Sequence, residues 1–336
     1  MSSPARRTVR ALRHRPLAVA LASLTALVSL TACGGASDAA TDQVAPKGAK
    51  GGTAINLGPD QKRVHTAKVD AIAAKLPEAV RKRGTLNLGV STGSAPPLAF
   101  YATDDRTLIG VELDIATLVA DTLGVKPEVD PVSWENLFVG LDSGKFDGVF
   151  SNVTVTEERK DKYDFATYRL DDLAFEAKKG SGWKVAGPAD VAGKTIAVSS
   201  GTNQEKILVE WSRENEKAGR KPVDIKYFQN QTDYYLALQS GRIDAYLGPN
   251  PTSAYHVASA GQTEIVGKFS GAGAGLQGKI AVTTKKDSGL VDAYAAALNH
   301  VIENGTYAQV LKRWGLSSEA VTTSEINPPG LPRTKN

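Results

Sequence analysis

The chain has 336 residues, 41% of them hydrophobic and 23% charged, which is enough for one large domain or two modest ones around a buried core. Its formal charge is +4, but five arginines (Arg6, Arg7, Arg10, Arg13, Arg15) lie in an acid-free stretch at residues 1–32, and taking those five charges from +4 leaves the remainder at −1. The basicity belongs to a targeting segment and gives no charge argument for a nucleic-acid partner; one cysteine excludes an intramolecular disulfide, and four scattered histidines (His14, His65, His256, His300) lack metal-ligand spacing, so no metal or cofactor is expected.

In chain order, the basic stretch runs into an uncharged segment, Leu17 to Ala32, shorter than the roughly 20 apolar residues a spanning helix needs. It ends in Leu30-Thr31-Ala32-Cys33, which resembles the bacterial lipobox: residues 1–32 are then a signal peptide and Cys33 the lipid-modified first residue of the exported protein. Arg6-Arg7 leaves a twin-arginine export route open beside the general one. Residues 33–60 are expected to be a flexible tether, because Gly34 to Gly52 is rich in Gly, Ala, Ser, Asp and Lys without apolar periodicity.

From Lys62 the spacing of Val69, Ile72, Ala73, Leu76 and Val80 predicts helix over 62–83, interrupted at Pro77. Alternation over Thr85–Val90 predicts a strand. Glu112–Leu123 reads as a helix stopped by Gly124, Trp134–Ser143 as a helix behind Ser133, and Asp147–Phe150 as a buried strand. The rhythm then repeats: strand at Thr195–Ser199, helix at Asn203–Asn215, helix at Asp233–Ser240, strands at Ile243–Leu247 and Lys279–Thr283. A helical stripe through Leu290, Tyr294, Leu298 and Val301 stops at Asn304-Gly305, Thr306–Trp314 is a last helix, and a Pro-rich extended tail begins at Asn327. Strands alternating with helices imply an α/β fold with mostly parallel sheets. Two such series imply two lobes with a ligand cleft between them, at the C-terminal ends of the strands.

Three motifs lack the context their chemistry needs. Ala192-Gly193-Lys194-Thr195 looks like the end of a phosphate-binding loop, but Pro188 stands where its first glycine should be and a strand follows. Gly273-Ala274-Gly275-Leu276-Gln277-Gly278 matches the dinucleotide fingerprint by letter, yet it also precedes a strand, so no helix N-terminus is there for a pyrophosphate. No Gly-x-Ser-x-Gly elbow occurs to support a hydrolase.

The segment Ser151-Asn152-Val153-Thr154-Val155-Thr156-Glu157-Glu158-Arg159 carries more information. Thr156 is an N-cap type, which places Arg159 in a first helical turn, where a cation opposes the helix dipole. A ligand carboxylate, gripped bidentately, would account for it. So would a surface pair with Asp161 or Glu157, and spacing alone leaves both open.

Taken together, several runs resemble the polar amino-acid-binding family of extracytoplasmic solute receptors that feed ABC importers. They are Pro96-Pro97 with Phe100, Gly110-Val111-Glu112-Leu113-Asp114, Ser143-Gly144-Lys145-Phe146-Asp147-Gly148, Thr156-Glu157-Glu158-Arg159, Gly193-Lys194-Thr195-Ile196-Ala197-Val198 with Gly201-Thr202, and Leu238-Gln239-Ser240-Gly241-Arg242-Ile243-Asp244-Ala245. The resemblance, from about Gly84 to Leu316, implies a two-lobed periplasmic-binding-protein-like (type II) fold. Its first lobe would span 61–173 and 276–316, its second lobe 174–275, and its C-terminal tail 317–336. It implies that Arg159 holds a ligand carboxylate, that Asn152 and Thr154 beside Ser151 offer carbonyl and hydroxyl groups, that Thr202 and Asn203 cap the second-lobe helix and donate to the same carboxylate, and that Trp134 walls the pocket with Phe100 near it. Two positions depart from the family pattern: the acid expected just after the last run, Leu238–Ala245, is replaced by Gly248-Pro249-Asn250, which puts Asn250 at the site, and Ala95 stands where an aromatic residue is usual. The implied function is a monomeric, lipid-anchored solute receptor that closes like a hinge around a small carboxylate-bearing, amino-acid-like solute, docks on an importer's membrane subunits, and does no chemistry. A non-amino-acid carboxylate or compatible solute is the alternative cargo, and a cyclohexadienyl-type dehydratase or a sensory receptor the alternative use of the fold.

Overall fold

The computed structural model describes residues 55–92 and 95–334. The expected signal peptide, Cys33 and most of the expected tether lie outside the described residues.

Two short helices, α1 (Asp70–Ala73) and α2 (Glu78–Arg83), lead into the first lobe. Its strands are β1 (Thr85–Ser91), the small pair β2 (Phe100–Tyr101) and β3 (Leu108–Ile109), β4 (Lys126–Val132) and β5 (Gly148–Val149), with helices α3 (Val111–Leu123) and α4 (Trp134–Asp142) between them. The chain then crosses on a single 16-residue strand, β6 (Tyr163–Lys178). The second lobe holds β7 (Thr195–Val198), α5 (Asn203–Lys217), β8 (Asp224–Tyr227), α6 (Gln231–Gln239), β9 (Ala245–Pro249), α7 (Asn250–Ala260) and β10 (Thr263–Ser270). The return strand β11 (Gly278–Lys285) brings α8 (Val291–Glu303) and α9 (Thr306–Arg313) back onto the first lobe.

Strand order places the cleft. The sheet runs β4-β1-β5-β11-β6-β9-β7-β8, with β10 on β6. Around β1 and around β7 the strands pair in parallel, as helical crossovers require. The crossing strands pair antiparallel: the first half of β6 lies against β11, and the second half against β9 and β10. One strand therefore belongs to both lobes, and its partners change between Asp171, opposite Gly278, and Asp172, opposite Ser270.

Each lobe has its own apolar core. In the first, Leu86 and Leu88 of β1, Ile115 and Val119 of α3, Leu298 of α8 and Trp314 are buried together. In the second, Phe175, Ile196, Leu208 and Leu247 pack together, with Trp211 against Phe175. The α3 stripe forms as its spacing predicts, and Gly124 ends it in a left-handed conformation.

The expected helix over 62–83 is corrected: residues 61–69 form no regular element, and helix begins only at Asp70. Tertiary bonds outbid local helix there. Arg63 reaches Asp114 and the Leu108 carbonyl, while the Val69 N–H donates to the Thr122 carbonyl of α3. From Ile55 onward the chain already packs on the first lobe, with the Thr103 N–H on the Leu57 carbonyl. The C-terminal tail is extended as read, and it threads back through bridges of Ile326 to Ala166 and Leu331 to Thr156.

Candidate functional site

A cavity of about 440 Å³ opens between the lobes. The first lobe lines it with Ser91, Thr92, Tyr101, Trp134, Glu135, Ser151 and Asn152; the second with Thr202, Asn203, Gln204, Gln229, Tyr234, Tyr246 and Thr252. Among these lining residues Glu135 alone carries a formal charge, and it is exposed.

After β5 the backbone turns sharply. Asn152 sits at φ 53°, a left-handed conformation that asparagine tolerates better than most residues. Its side-chain oxygen accepts from Arg169, and the Ser151 hydroxyl accepts from the Ser91 N–H at 2.8 Å. Arg169 itself spends both terminal nitrogens inside the fold. It lies 2.9 Å from Glu112 and 2.5 Å from Glu319, all three side chains are at most 3% exposed, and the Tyr168 hydroxyl donates to Glu112. Desolvation works against its charge, but Glu319 and Glu112 outweigh that and hold its pKa above the ordinary guanidinium value. This buried cluster fixes the first-lobe wall from behind.

From the second lobe, α5 opens at the cleft. The Thr202 hydroxyl accepts from the Glu205 N–H at 3.2 Å and donates to the Ser199 carbonyl, capping the helix as read from the sequence. Gly201, at φ +74°, makes the turn before it, and its N–H donates to Glu205. Asn203 and Gln204, the first two residues of α5, line the cavity, where a helix start offers N–H groups that have no intrahelical acceptor.

Arg159 lies immediately behind this wall. The expected α-helical turn is corrected: residues Arg159–Asp161 form one 3-10 turn, because β6 begins at Tyr163. So short a turn carries little dipole, and burial replaces dipole as the informative property. The Thr156 hydroxyl does accept from the Arg159 N–H, at 3.1 Å. Arg159 is 9% exposed, and its guanidinium lies over the rings of Trp134 and Phe138 and donates to the carbonyls of Thr154 at 2.9 Å and Gly201 at 3.1 Å. The possible surface partners are engaged elsewhere: Asp161 with Arg333, Glu157 with Lys160. Among the described residues no carboxylate stands within 4.0 Å of Arg159. Burial lowers its pKa to about 10, against the opposing pull of Asp171 and Tyr163.

Of the residues singled out from sequence, Trp134, Ser151, Asn152, Thr202 and Asn203 line the cavity. Arg159 and Thr154 stand behind it; the Thr154 hydroxyl donates to Asp171 at 2.7 Å. Asn203 turns its amide to Asp171 and to the Gly271 carbonyl. Phe100 points into the first-lobe core, edge-on to Trp314, and its neighbour Tyr101 takes the cleft side. Asn250 opens α7, while Pro249 reaches the lining. Sequence reading missed Glu135, Gln204, Gln229 and the stacked pair Tyr234 and Tyr246, whose rings lie 3.8 Å apart. Strand alternation after Phe100 was the available signal for Tyr101. Among the described residues no group of three or more His, Cys, Asp or Glu side chains could hold a metal ion.

Residues 86–317 match the sequence profile of the bacterial extracellular solute-binding proteins, family 3. The L-cystine-binding protein TcyJ of Escherichia coli is 32% identical over 236 residues, covering 70% of this chain and 84% of that protein. The arginine-binding protein ArgT of Corynebacterium glutamicum is 28% identical over 261 residues, covering 77% and 83%. Among solved structures, an ancestral arginine-binding protein bound to arginine superposes with a TM-score of 0.60 at 30% identity, over 69% of this chain and 98% of that one. These named relatives are binding proteins, and among the described residues no helix is long and apolar enough to cross a membrane.

Proposed function

We propose that this chain, which belongs to the bacterial extracellular solute-binding proteins of family 3, is the lipid-anchored receptor of an ABC importer and captures a small carboxylate-bearing, amino-acid-like solute without chemical change. The observation that carries this reading is Arg159: a buried cation, facing aromatic rings and carbonyls but no carboxylate, directly behind a cleft shared by two lobes. A buried charge is costly until an opposite charge meets it, and the carboxylate of a bound solute would do so. The first turn of α5 would supply N–H donors to the same group from the other lobe. Solute would thus bind both walls at once and favour the closed arrangement through contacts that an open one lacks. Arg159 would exchange its Gly201 carbonyl for the solute.

An α-amino group needs an acceptor, and Gly248-Pro249-Asn250 offers no carboxylate. Glu135, at the cleft, is our assignment for that role. If Glu135 serves only the α4 N-terminus, the cargo is a carboxylate without an amine or a compatible solute, the second reading. A thermal-shift screen of amino acids, betaines and organic acids separates them. A tight binder raises the melting temperature by mass action, and a hit confined to organic acids or betaines defeats the amino-acid reading.

Membrane attachment through Cys33 belongs to the same proposal. One acyl chain gives marginal attachment, so the several chains of a lipoprotein would be needed to keep the receptor beside its importer. Cys33→Ser should release the protein into the medium; retention on membranes would refute the anchor.

A further inference from the structure

At the point where β6 changes partners, Asp171 is buried and outside the cavity lining. Its Oδ2 accepts from the Thr154 hydroxyl at 2.7 Å, on the first-lobe side, and from the Asn203 amide at 3.2 Å, in the first turn of α5. The same amide donates to the Gly271 carbonyl at 2.9 Å, and the Gly271 N–H donates to the Asp171 carbonyl at 2.9 Å. A Cβ on Gly271 would lie 1.7 Å from Oδ2, so the carboxylate packs against bare backbone of the return crossover. Three segments therefore meet on one carboxylate: the wall after β5, the start of α5 and the crossover.

We propose that Asp171 is the positioning residue of the binding site, holding the first-lobe wall at Thr154 and the second-lobe helix at Asn203 in register while itself standing outside the cleft. The proposal rests on the two-lobed receptor reading, because register between the walls matters only if solute touches both. It needs an acceptor at Oδ2 rather than a charge. The charged groups that act on it are Arg169 and Asp172 on its own strand, Glu319 from the C-terminal turn and Arg159 from the 3-10 turn. Burial raises its pKa to about 6, with Thr154 and Arg169 pulling it down and Glu319 and Asp172 adding to the rise. A raised carboxyl pKa means that the folded protein binds the proton more tightly than the unfolded chain. The stabilising contribution is therefore complete below the unfolded value near 4 and is lost as pH rises to about 6.

Hydrogen exchange and thermal unfolding of the full chain without solute test this. Asp171→Ala should speed amide exchange at least tenfold in both segments 152–156 and 202–206, whereas Asp171→Asn, whose amide oxygen can accept from the same two donors, should exchange like the parent. Asn203→Ala cuts one arm and should loosen 202–206 and Gly271 even if Asp171→Ala does not fold. The melting temperature of Asp171→Asn relative to the parent should rise by a few degrees between pH 4 and 6 and then level off. Loosening confined to one lobe in Asp171→Ala, no loosening in Asn203→Ala, an Asp171→Asn variant as loose as Asp171→Ala, or a flat difference between pH 4 and 7 would overturn the proposal. No solute enters these measurements, so their failure and a failure of the receptor reading are separate results.

Discussion

Two buried arginines lie ten positions apart, and their surroundings differ. Arg169 is enclosed by Glu112, Glu319 and Asn152. Arg159 has carbonyls and aromatic faces only. A buried cation surrounded by its own carboxylates is a structural part: it sets Asn152 and ties the C-terminal turn to α3 and β6. One with no carboxylate in direct contact, beside an open cleft, is the kind proposed above to meet a solute anion. Burial alone does not distinguish structure from function; the state of the counter-charge does.

Substitutions at the two positions should separate accordingly. The largest stability effect belongs to Arg169→Leu, which strands two carboxylates in the core and should cost about 3–5 kcal/mol in denaturant unfolding. Arg159→Leu strands no carboxylate and should cost no more than about 1 kcal/mol. Equal losses at the two sites would erase the distinction. Next comes Phe100→Ala, which should cost about 3 kcal/mol of stability and leave affinity within about twofold, because its ring belongs to the core. Tyr101→Ala should do the reverse, lowering affinity with stability nearly unchanged, as paired unfolding and calorimetric titrations can read. Glu135→Gln is a narrower change: affinity for an amino-bearing solute should fall about 10- to 100-fold, as loss of a charge-assisted bond implies. A carboxylate lacking an amine should be unaffected.

Much of the fold was legible because local signals and tertiary packing agree. Helices α3, α5, α8 and α9 carry their apolar stripes, and Gly124 and Asn304-Gly305 stop two of them where expected. The apolar pattern does not mark β6, because Asp164, Arg169, Asp171, Asp172 and Glu176 interrupt it; four of these are buried, and their partners lie far away in sequence. Segment 61–69 misleads for the opposite reason, since bonds to α3 and β3 hold it in place of local helix.

The site divides in the same way. The residues around Asn152 and Thr202 came from the family resemblance, and both line the cavity, one at a strand-to-turn and the other at a turn-to-helix junction. Tyr234 and Tyr246 were not legible, because their stacking joins α6 to β9 across the lobe. Glu135, second in α4, reads locally as a dipole partner, and nothing in the sequence says that it faces a cavity.

The contrast between the two arginines is tested most directly by isothermal titration of the tightest solute from the screen into the parent protein and into Arg159→Ala. The account predicts at least a 100-fold loss of affinity in a variant whose circular dichroism matches the parent. Unchanged affinity would contradict it and remove Arg159 from the site.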